Sequence, residues 1–405
     1  MFHFGRPSGN LVKYIGMISF ERAEEIVNQH IISIGSEIIG FLDSLGRVLA
    51  EDVKSDMDMP PFNKTAVDGF ACRKEDLSKE LIINEVLKAG VVAQRVVGEG
   101  ECARIMTGAA IPEGADWVFM VEDAIEESGK VKFAGKPGKD NIAKKGEDIK
   151  AGEIVLTAGR IIKPQDIAVM ATVGATRVEV SRKLKVAVIS TGDELVEPDE
   201  KPAPSQIRNS NAYQLIAQVI RAGANAVYYG IAIDNEEATL EIVSGAIGEC
   251  DLVLLTGGVS MGDYDFVTKV FDRAGVKIIF DSIAVQPGKP TTFGVHKDAL
   301  VFGLPGNPVS SFVQFELMVR PLIQRSMRSA WTPEVIRLPM AVDYTRKRAG
   351  RMGWVPVRIT EAGIKPVEYH GSAHINALPE ADGLIAVPAD IILIKKGARM
   401  DVRQI

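Results

Sequence analysis

The chain has 405 residues, enough for two to four domains at roughly 100–200 residues each. Apolar residues make up 46% and charged residues 25%, the balance of a soluble globular protein. Lys and Arg number 47 against 53 Asp and Glu, a net charge of −6, which argues against a general nucleic-acid binder. Three widely spaced cysteines, Cys72, Cys102 and Cys250, make neither a disulfide framework nor a thiol metal site. There is no apolar run long enough to span a membrane. Residues 1–16, with Gly5, Pro7, Gly9 and Gly16, read as a loose tail without a signal peptide's apolar stretch, and Met17 is a second candidate start. The expected compartment is the cytoplasm.

The ordered pattern begins after Met17. Ser19 is placed to cap a helix running to about His30. Residues 54–146 then read as short strands, at 81–87, 91–97, 117–121 and 130–133, punctuated by Gly and Pro. They predict a small β domain, with a barrel as one form it could take. Residues 153–157 and 160–162 read as a hairpin around Ala158-Gly159, and Pro164 opens a helix to about Thr172. Segments 17–53 and 147–180 are alike in kind. They are expected to pair as one discontinuous linking domain, with the β domain of 54–146 inserted between them.

Residues 181–327 alternate strand and helix, the signature of a mainly parallel sheet covered on both faces. Strands are expected at 185–189, 226–229, 252–255, 276–280 and 299–302. Helices are expected at 211–222, from the cap Asn235, at 264–274, and from Asn307-Pro308 to about Met327. Residues 328–405 return to strands at 335–342, 354–359, 383–387 and 398–403, a small C-terminal β domain. The fold class is thus α/β plus β, multidomain.

Ligands bind outside the carboxyl ends of the strands in an open parallel sheet, and four unusual loops lie there. They are Ser190-Thr191-Gly192-Asp193-Glu194-Leu195, Thr256-Gly257-Gly258-Val259-Ser260-Met261-Gly262-Asp263-Tyr264-Asp265, Gln286-Pro287-Gly288-Lys289-Pro290 and Gly303-Leu304-Pro305-Gly306-Asn307-Pro308-Val309-Ser310-Ser311. Any one alone is equally an ordinary turn; together they predict a site for a phosphate-rich anion. Gly257, Gly258 and Gly262 let backbone N–H groups approach an oxyanion. The helix opened by Asn307-Pro308 offers a positive dipole end, and Lys289 supplies a charge. Neither a Walker A pattern nor a Gly-x-Gly-x-x-Gly fingerprint occurs, which disfavours a P-loop ATPase and a nicotinamide dehydrogenase. Asp193, Glu194, Asp234, Asp263 and Asp265 crowd the same edge. Asp193 and Asp263 read as solvated loop acids, whereas acids beside phosphate call for a hard cation such as Mg²⁺. In the insert, the stretches around Asp68 and Thr107 are too apolar and too rich in Pro for casual surface loops. His370 and His374 are four apart, but Gly371 and Ser372 between them break a helix, so no two-His metal site is expected.

Together these motifs resemble the molybdopterin molybdenumtransferase family, which includes the E domain of gephyrin. The matching stretches are Pro60-Pro61-Phe62-Asn63 through Ala66-Val67-Asp68-Gly69-Phe70-Ala71, Arg104-Ile105-Met106-Thr107-Gly108 and Gly146-Glu147-Asp148-Ile149. They continue through Ser190 to Leu195, Thr256 to Ser260, Pro287-Gly288-Lys289-Pro290 and Gly303 to Ser310, in the family's order over nearly everything from Met17 onward.

The resemblance implies that adenylylated molybdopterin binds with molybdate, the phosphoanhydride is cleaved, AMP leaves, and the metal reaches the dithiolene sulfurs. It also implies a homodimer whose site lies between the α/β domain of one subunit and the insert of the other. Matched by position, Asp68, Thr107, Asp148, Glu194 and Asp265 are catalytic candidates, and Glu194, Asp234 and Asp265 are Mg²⁺ candidates. Gly257, Gly258, Ser260, Lys289, Pro290, Pro305, Asn307, Pro308, Ser310, Arg351 and Ser372 are substrate-binding candidates. Ser260, Lys289 and Pro290 match the molybdate pocket, with Arg351 and Ser372 facing it from the C-terminal domain. Gln286 stands where many relatives carry Lys and Ser282 where some carry a basic residue, so the pocket loses up to two positive charges. Tungstate is an alternative oxyanion. The rival functions are molybdopterin adenylyltransferase and a non-catalytic gephyrin-like scaffold. The adenylylating enzymes lack the insert and the C-terminal domain, and no long linker or second catalytic domain accompanies this fold. Partners implied are the adenylylating enzyme and the enzymes that accept the cofactor.

Overall fold

The computed structural model describes residues 16–258, 267–368 and 374–405. The tail expected at 1–16 lies almost wholly outside them. Helix Phe20–Asn28 starts where Ser19 accepts the Arg22 N–H at 3.2 Å. It buries Phe20, Ala23, Ile26 and Val27, one stripe at helical spacing. That stripe packs into the main α/β core rather than the linking unit, and the Phe20 ring lies 5.2 Å from Trp354 of the C-terminal domain.

Segments on either side of the insert do pair. Strand Ser36–Gly40 runs antiparallel to Arg177–Ser181, and Val53–Lys54 to Ile154–Leu156. Leu49, Val53, Leu156, Ile162, Met170 and Val180 share one core. The hairpin expected at 153–162 is absent. Its first arm pairs with Val53–Lys54 and Ile161 bridges Val48, and Leu156 and Ile162 are buried in a core shared with Leu49, Val53 and the later residues Met170 and Val180. Helix Pro164–Thr172 forms as its opening proline predicts.

The insert is a six-stranded sheet in the order Trp117–Met120, Gly69–Cys72, Glu101–Ile105, Glu80–Leu87, Lys130–Phe133, Ala124–Glu127. It does not close into a barrel. Alternation along its strands buries Phe70, Cys72, Leu81 and Phe119 on one face and Ala71, Leu87, Ala103 and Val118 on the other. The strand expected at 91–97 is an irregular segment. Its backbone donors go elsewhere: the Glu85 carboxylate accepts from Gln94 and Arg95, and Val97 donates to the Glu113 carbonyl. Cys72 and Cys102 are cross-strand partners and both are free thiols. Burial pushes each up to about 12, so both are unreactive packing residues.

The α/β domain is a six-stranded sheet in the order Asn225–Ala232, Lys185–Thr191, Leu252–Thr256, Leu300–Leu304, Thr292–Val295, Lys277–Phe280. Only Thr292–Val295 runs against the rest. Leu252–Thr256 is buried throughout, as a central strand covered on both faces must be. Helices Ser210–Arg221 and Pro308–Gln314 pack on one face, and Glu236–Glu249 and Val267–Arg273 on the other. The helix expected from Pro308 to Met327 is interrupted by a π-helical turn, Phe315–Val319, before Arg320–Ser326. Pro321 has no N–H to give the Leu317 carbonyl, and the turn before it widens.

The C-terminal sheet follows the order Val285–Gln286, Met352–Thr360, Gly383–Val387, Arg399–Gln404, Val335–Pro339. Its first strand belongs to the α/β domain. This parallel pairing, Val285 with Met352 and Gln286 with Gly353, docks the C-terminal domain beside the Pro287-Gly288-Lys289-Pro290 loop.

Candidate active site

A cleft of about 560 Å³ opens at the carboxyl ends of the parallel strands. Its walls bring together Glu194, Gly257, Gly258, Pro290, Pro305, Asn307 and Pro308, seven of the positions singled out in the sequence. Gly257 follows strand Leu252–Thr256 at φ +98°, and a Cβ there would lie 2.3 Å from the Thr191 carbonyl oxygen. Gly258 has φ +60°. Gly257 is set by the close approach of the neighbouring strand end, and Gly258 by its left-handed φ and by Val267 Cγ2, 2.9 Å from where its Cβ would be. Asn307 is the N-cap by position, yet its side chain makes no capping bond. The N–H groups of the first helical turn thus have no side-chain cap from Asn307.

Residues 206–211 add wall residues that the sequence reading missed: Arg208, Asn209 and Asn211. Asn211 donates to Thr256 Oγ1 at 3.1 Å and to the Gly306 carbonyl at 2.7 Å, and Thr256 Oγ1 donates to the Pro305 carbonyl. One amide thus ties two glycine-containing loops together. Asn209 accepts from Ser190 Oγ and from the Ala212 N–H, and donates to the Tyr228 hydroxyl. Tyr228 in turn donates to Glu197 at 2.6 Å. Burial and that carboxylate raise the Tyr228 pKa, keeping the phenol a donor. The signal available in the sequence was Asn-Ser-Asn at a helix start on the same sheet edge. Ile375 of the C-terminal domain completes the wall, and nothing in the sequence marks it.

Lys289 is half-buried in the loop that presents Pro290 to the cleft. Thr291 Oγ1 donates to the Gly288 carbonyl, and the N–H groups of Ile283 and Thr291 donate to the Lys289 carbonyl. Arg351 Nη1 donates to the Val285 carbonyl at 3.3 Å, alongside the same loop. Gln286 is exposed, whereas Ser282 is buried. Ser310 is buried in the helix and does not line the cleft. Asp234 sits beside Thr191, whose hydroxyl donates to it at 3.1 Å, and its own N–H donates to Asp193. It too lies off the cleft wall. Among the described residues no three carboxylate, His or Cys groups converge as a metal site. Ser260, Asp263 and Asp265 fall in 259–266, with the expected start of the helix at 264, and His370 and Ser372 fall in 369–373. All lie outside the described residues.

Asp68 and Thr107 meet on the insert, where the carboxylate accepts two hydrogen bonds from Thr107. Asp148 is exposed in a bend of the chain leaving the insert, its N–H donating to the Met59 carbonyl. None of these three lines the cleft of its own chain. No helix among the described residues is long and apolar enough to cross a membrane.

Three family models match in chain order. The MoeA N-terminal region (domain I and II) covers residues 18–174, a probable molybdopterin binding domain 187–325, and the MoeA C-terminal region (domain IV) 337–405. The chain is 36% identical over 395 residues to a molybdopterin molybdenumtransferase of Staphylococcus epidermidis, covering 94% of each protein. It is 41% identical over 302 residues to that of Bacillus subtilis, covering 71% of this chain and 70% of the other. Among solved structures it is similar to the molybdopterin biosynthesis moeA protein from Pyrococcus horikoshii. The TM-score is 0.85 at 29% identity, covering 96% of this chain and 100% of that one. By likeness over nearly its whole length, and with all three regions in order, the chain belongs to the molybdopterin molybdenumtransferase family.

Proposed function

We propose that this enzyme inserts molybdenum into adenylylated molybdopterin. Molybdate supplies the metal, the phosphoanhydride is cleaved, AMP leaves, and the dithiolene sulfurs receive the metal. The observation that carries the reading is the cleft itself. Two glycine-containing loops and an uncapped helix start face one space whose rim includes the Lys289–Pro290 loop. Backbone N–H groups there suit phosphate oxygens, and Lys289 with Arg351 suits a tetrahedral dianion. Glu194, Asp234 and Asp265 are hard oxygen donors of the kind Mg²⁺ takes, and such an ion neutralises phosphate charge when bound. Because no three donors converge among the described residues, a full set calls on Asp265 and on phosphate oxygens of the substrate.

The site is shared across a homodimer. Asp68, Thr107 and Asp148 lie off the cleft of their own chain, and the linking unit exposes Ile38, Leu42 and Leu45, an apolar surface suited to a second copy. The protein acts in the cytoplasm, receiving its substrate from an adenylylating enzyme and passing cofactor to acceptor enzymes. The test is AMP release by the purified protein from adenylylated molybdopterin. Release that needs both molybdate and Mg²⁺ supports the reading. Release unaffected by omitting molybdate defeats it, and faster turnover with tungstate changes the oxyanion.

A further inference from the structure

We propose that Gln314 is a positioning residue that holds the Gln286-Pro287-Gly288-Lys289-Pro290 loop against the cleft, and so sets where Lys289 meets the oxyanion. Gln314 is fully buried, two turns behind the helix start that lines the cleft. Its Nε2 donates to the Pro287 carbonyl at 3.2 Å. The loop also presses directly on the amide. At Gly288, with φ +101°, an added Cβ would sit 2.5 Å from Nε2 and 2.6 Å from Cγ of Gln314.

Core packing alone does not account for an amide here. Gln314 Oε1 is buried without a protein partner, and a buried polar group without a partner is costly where an apolar side chain of equal size is not. What the amide supplies is the donor to Pro287. The carbonyls of Gly288 and Lys289 are held from within the loop and its flanks, by Thr291 and Ile283. That of Pro287 is held from the helix. The residue also sits at a change of helical phase, directly before the π-helical turn Phe315–Val319. Across that turn Glu316 accepts from Gln218 and Arg221 of the adjacent helix and from Arg320. One helix thus lines the cleft with its start, props the oxyanion loop with Gln314, and is itself pinned by Glu316.

This inference rests on the proposed function, through molybdate at Lys289. Its test uses the full chain with Gln314→Met, which keeps the volume, and Gln314→Leu, a shorter side chain that also has no donor. AMP release is measured against molybdate at saturating adenylylated molybdopterin, and against that substrate at saturating molybdate. Amide exchange is followed at Ile283 and Thr291. The molybdate needed for half-maximal rate rises about tenfold in each folded variant, as is typical when a group orienting a binding residue is lost. The requirement for adenylylated molybdopterin stays within about twofold, and exchange at both amides quickens. Unchanged molybdate dependence overturns the proposal, as does an equal loss for both substrates, which marks a merely structural role. If the Met variant fails to fold, the Leu variant decides by the same criteria. If the wild type releases no AMP in response to molybdate, the proposed function falls, and the exchange measurement still decides whether Gln314 holds the loop.

Discussion

A single oxygen, Oδ1 of Asp68, accepts both the backbone N–H and the hydroxyl of Thr107, each at 2.6 Å. Thirty-nine residues separate the two in sequence, and the contact fixes the turn at Met106–Ala109 to the sheet. These bonds hold the Asp68 carboxyl below the usual carboxylate range. With a depressed folded pKa, the contact is intact above the unfolded value near 3.9 and is lost as pH falls through the folded value. Thr107→Val removes the hydroxyl donor, so the acid limb of the pH–rate profile moves to higher pH. Asp68→Ala removes both bonds to Thr107 and leaves the turn held only by backbone bonds such as Gly108 to Thr65 and Met106 to Leu87. Misplacement of a positioned group by about 1 Å costs about a hundredfold, and AMP release falls by that order while the far-UV circular dichroism stays unchanged.

Much of the α/β domain was legible because its signals are local. Ser19 and Asn235 cap the helices they were expected to cap, and residues 252–255 are the continuous apolar run of a buried parallel strand. The failures are tertiary. The valines of 91–97 look like a strand, but Glu85 takes the backbone donors of Gln94 and Arg95. Residues 153–162 look like a hairpin, but their partners lie about a hundred residues earlier, at Val48 and Val53. In the cleft, glycines and prolines announced themselves through backbone chemistry. Asn211 did not, because its role depends on Thr256 and Gly306 arriving beside it.

The buried acid Glu316 accounts for much of the coherence between the long helix and its neighbour. Its side chain is 2% exposed and is met by Arg221, Arg320 and Gln218. Removing one partner of a buried ion pair costs about 3 kcal/mol or more, because the remaining charges lose compensation. Arg221 is 41% exposed, which puts Glu316→Ala at the low end of that range. The Tm falls by several degrees in calorimetry, while Glu316→Gln loses less because it keeps an acceptor for Gln218. A Glu316→Ala protein as stable as the wild type would mean that water solvates the arginines.

Lys289 and Gln286 sit three residues apart on the loop that the C-terminal sheet extends. If Lys289 supplies the main positive charge to molybdate, Lys289→Ala removes a charge-assisted contact from a preorganised pocket, a loss of about a hundredfold. The molybdate requirement rises accordingly at fixed adenylylated substrate, while substrate affinity changes little. Gln286→Lys restores a charge on an exposed residue and lowers the molybdate requirement, more so at low ionic strength because exposed charges are screened by salt. Equal molybdate curves for Lys289→Ala and wild type would move the oxyanion to another part of the cleft.

The separation of Asp68 and Thr107 from the cleft gives the dimer hypothesis its sharpest test. Both residues lie on the insert, which joins the linking unit at Val53–Lys54 and Ile154–Leu156, and neither lines the cleft that holds Glu194. In a shared site, Asp68→Ala damages the wall that one subunit lends its partner, and Glu194→Gln damages the cleft of the subunit that carries it. Homodimers of either variant have two defective sites. A mixed dimer has one site with both defects and one with neither. Random exchange between equal amounts makes about half the dimers mixed, so about a quarter of all sites are intact in a two-fold symmetric assembly. AMP release should therefore recover to about a quarter of the wild-type rate after subunit exchange, with the mixed species verified by differently tagged chains. If each site is built within one chain, every site keeps its defect and mixing restores nothing.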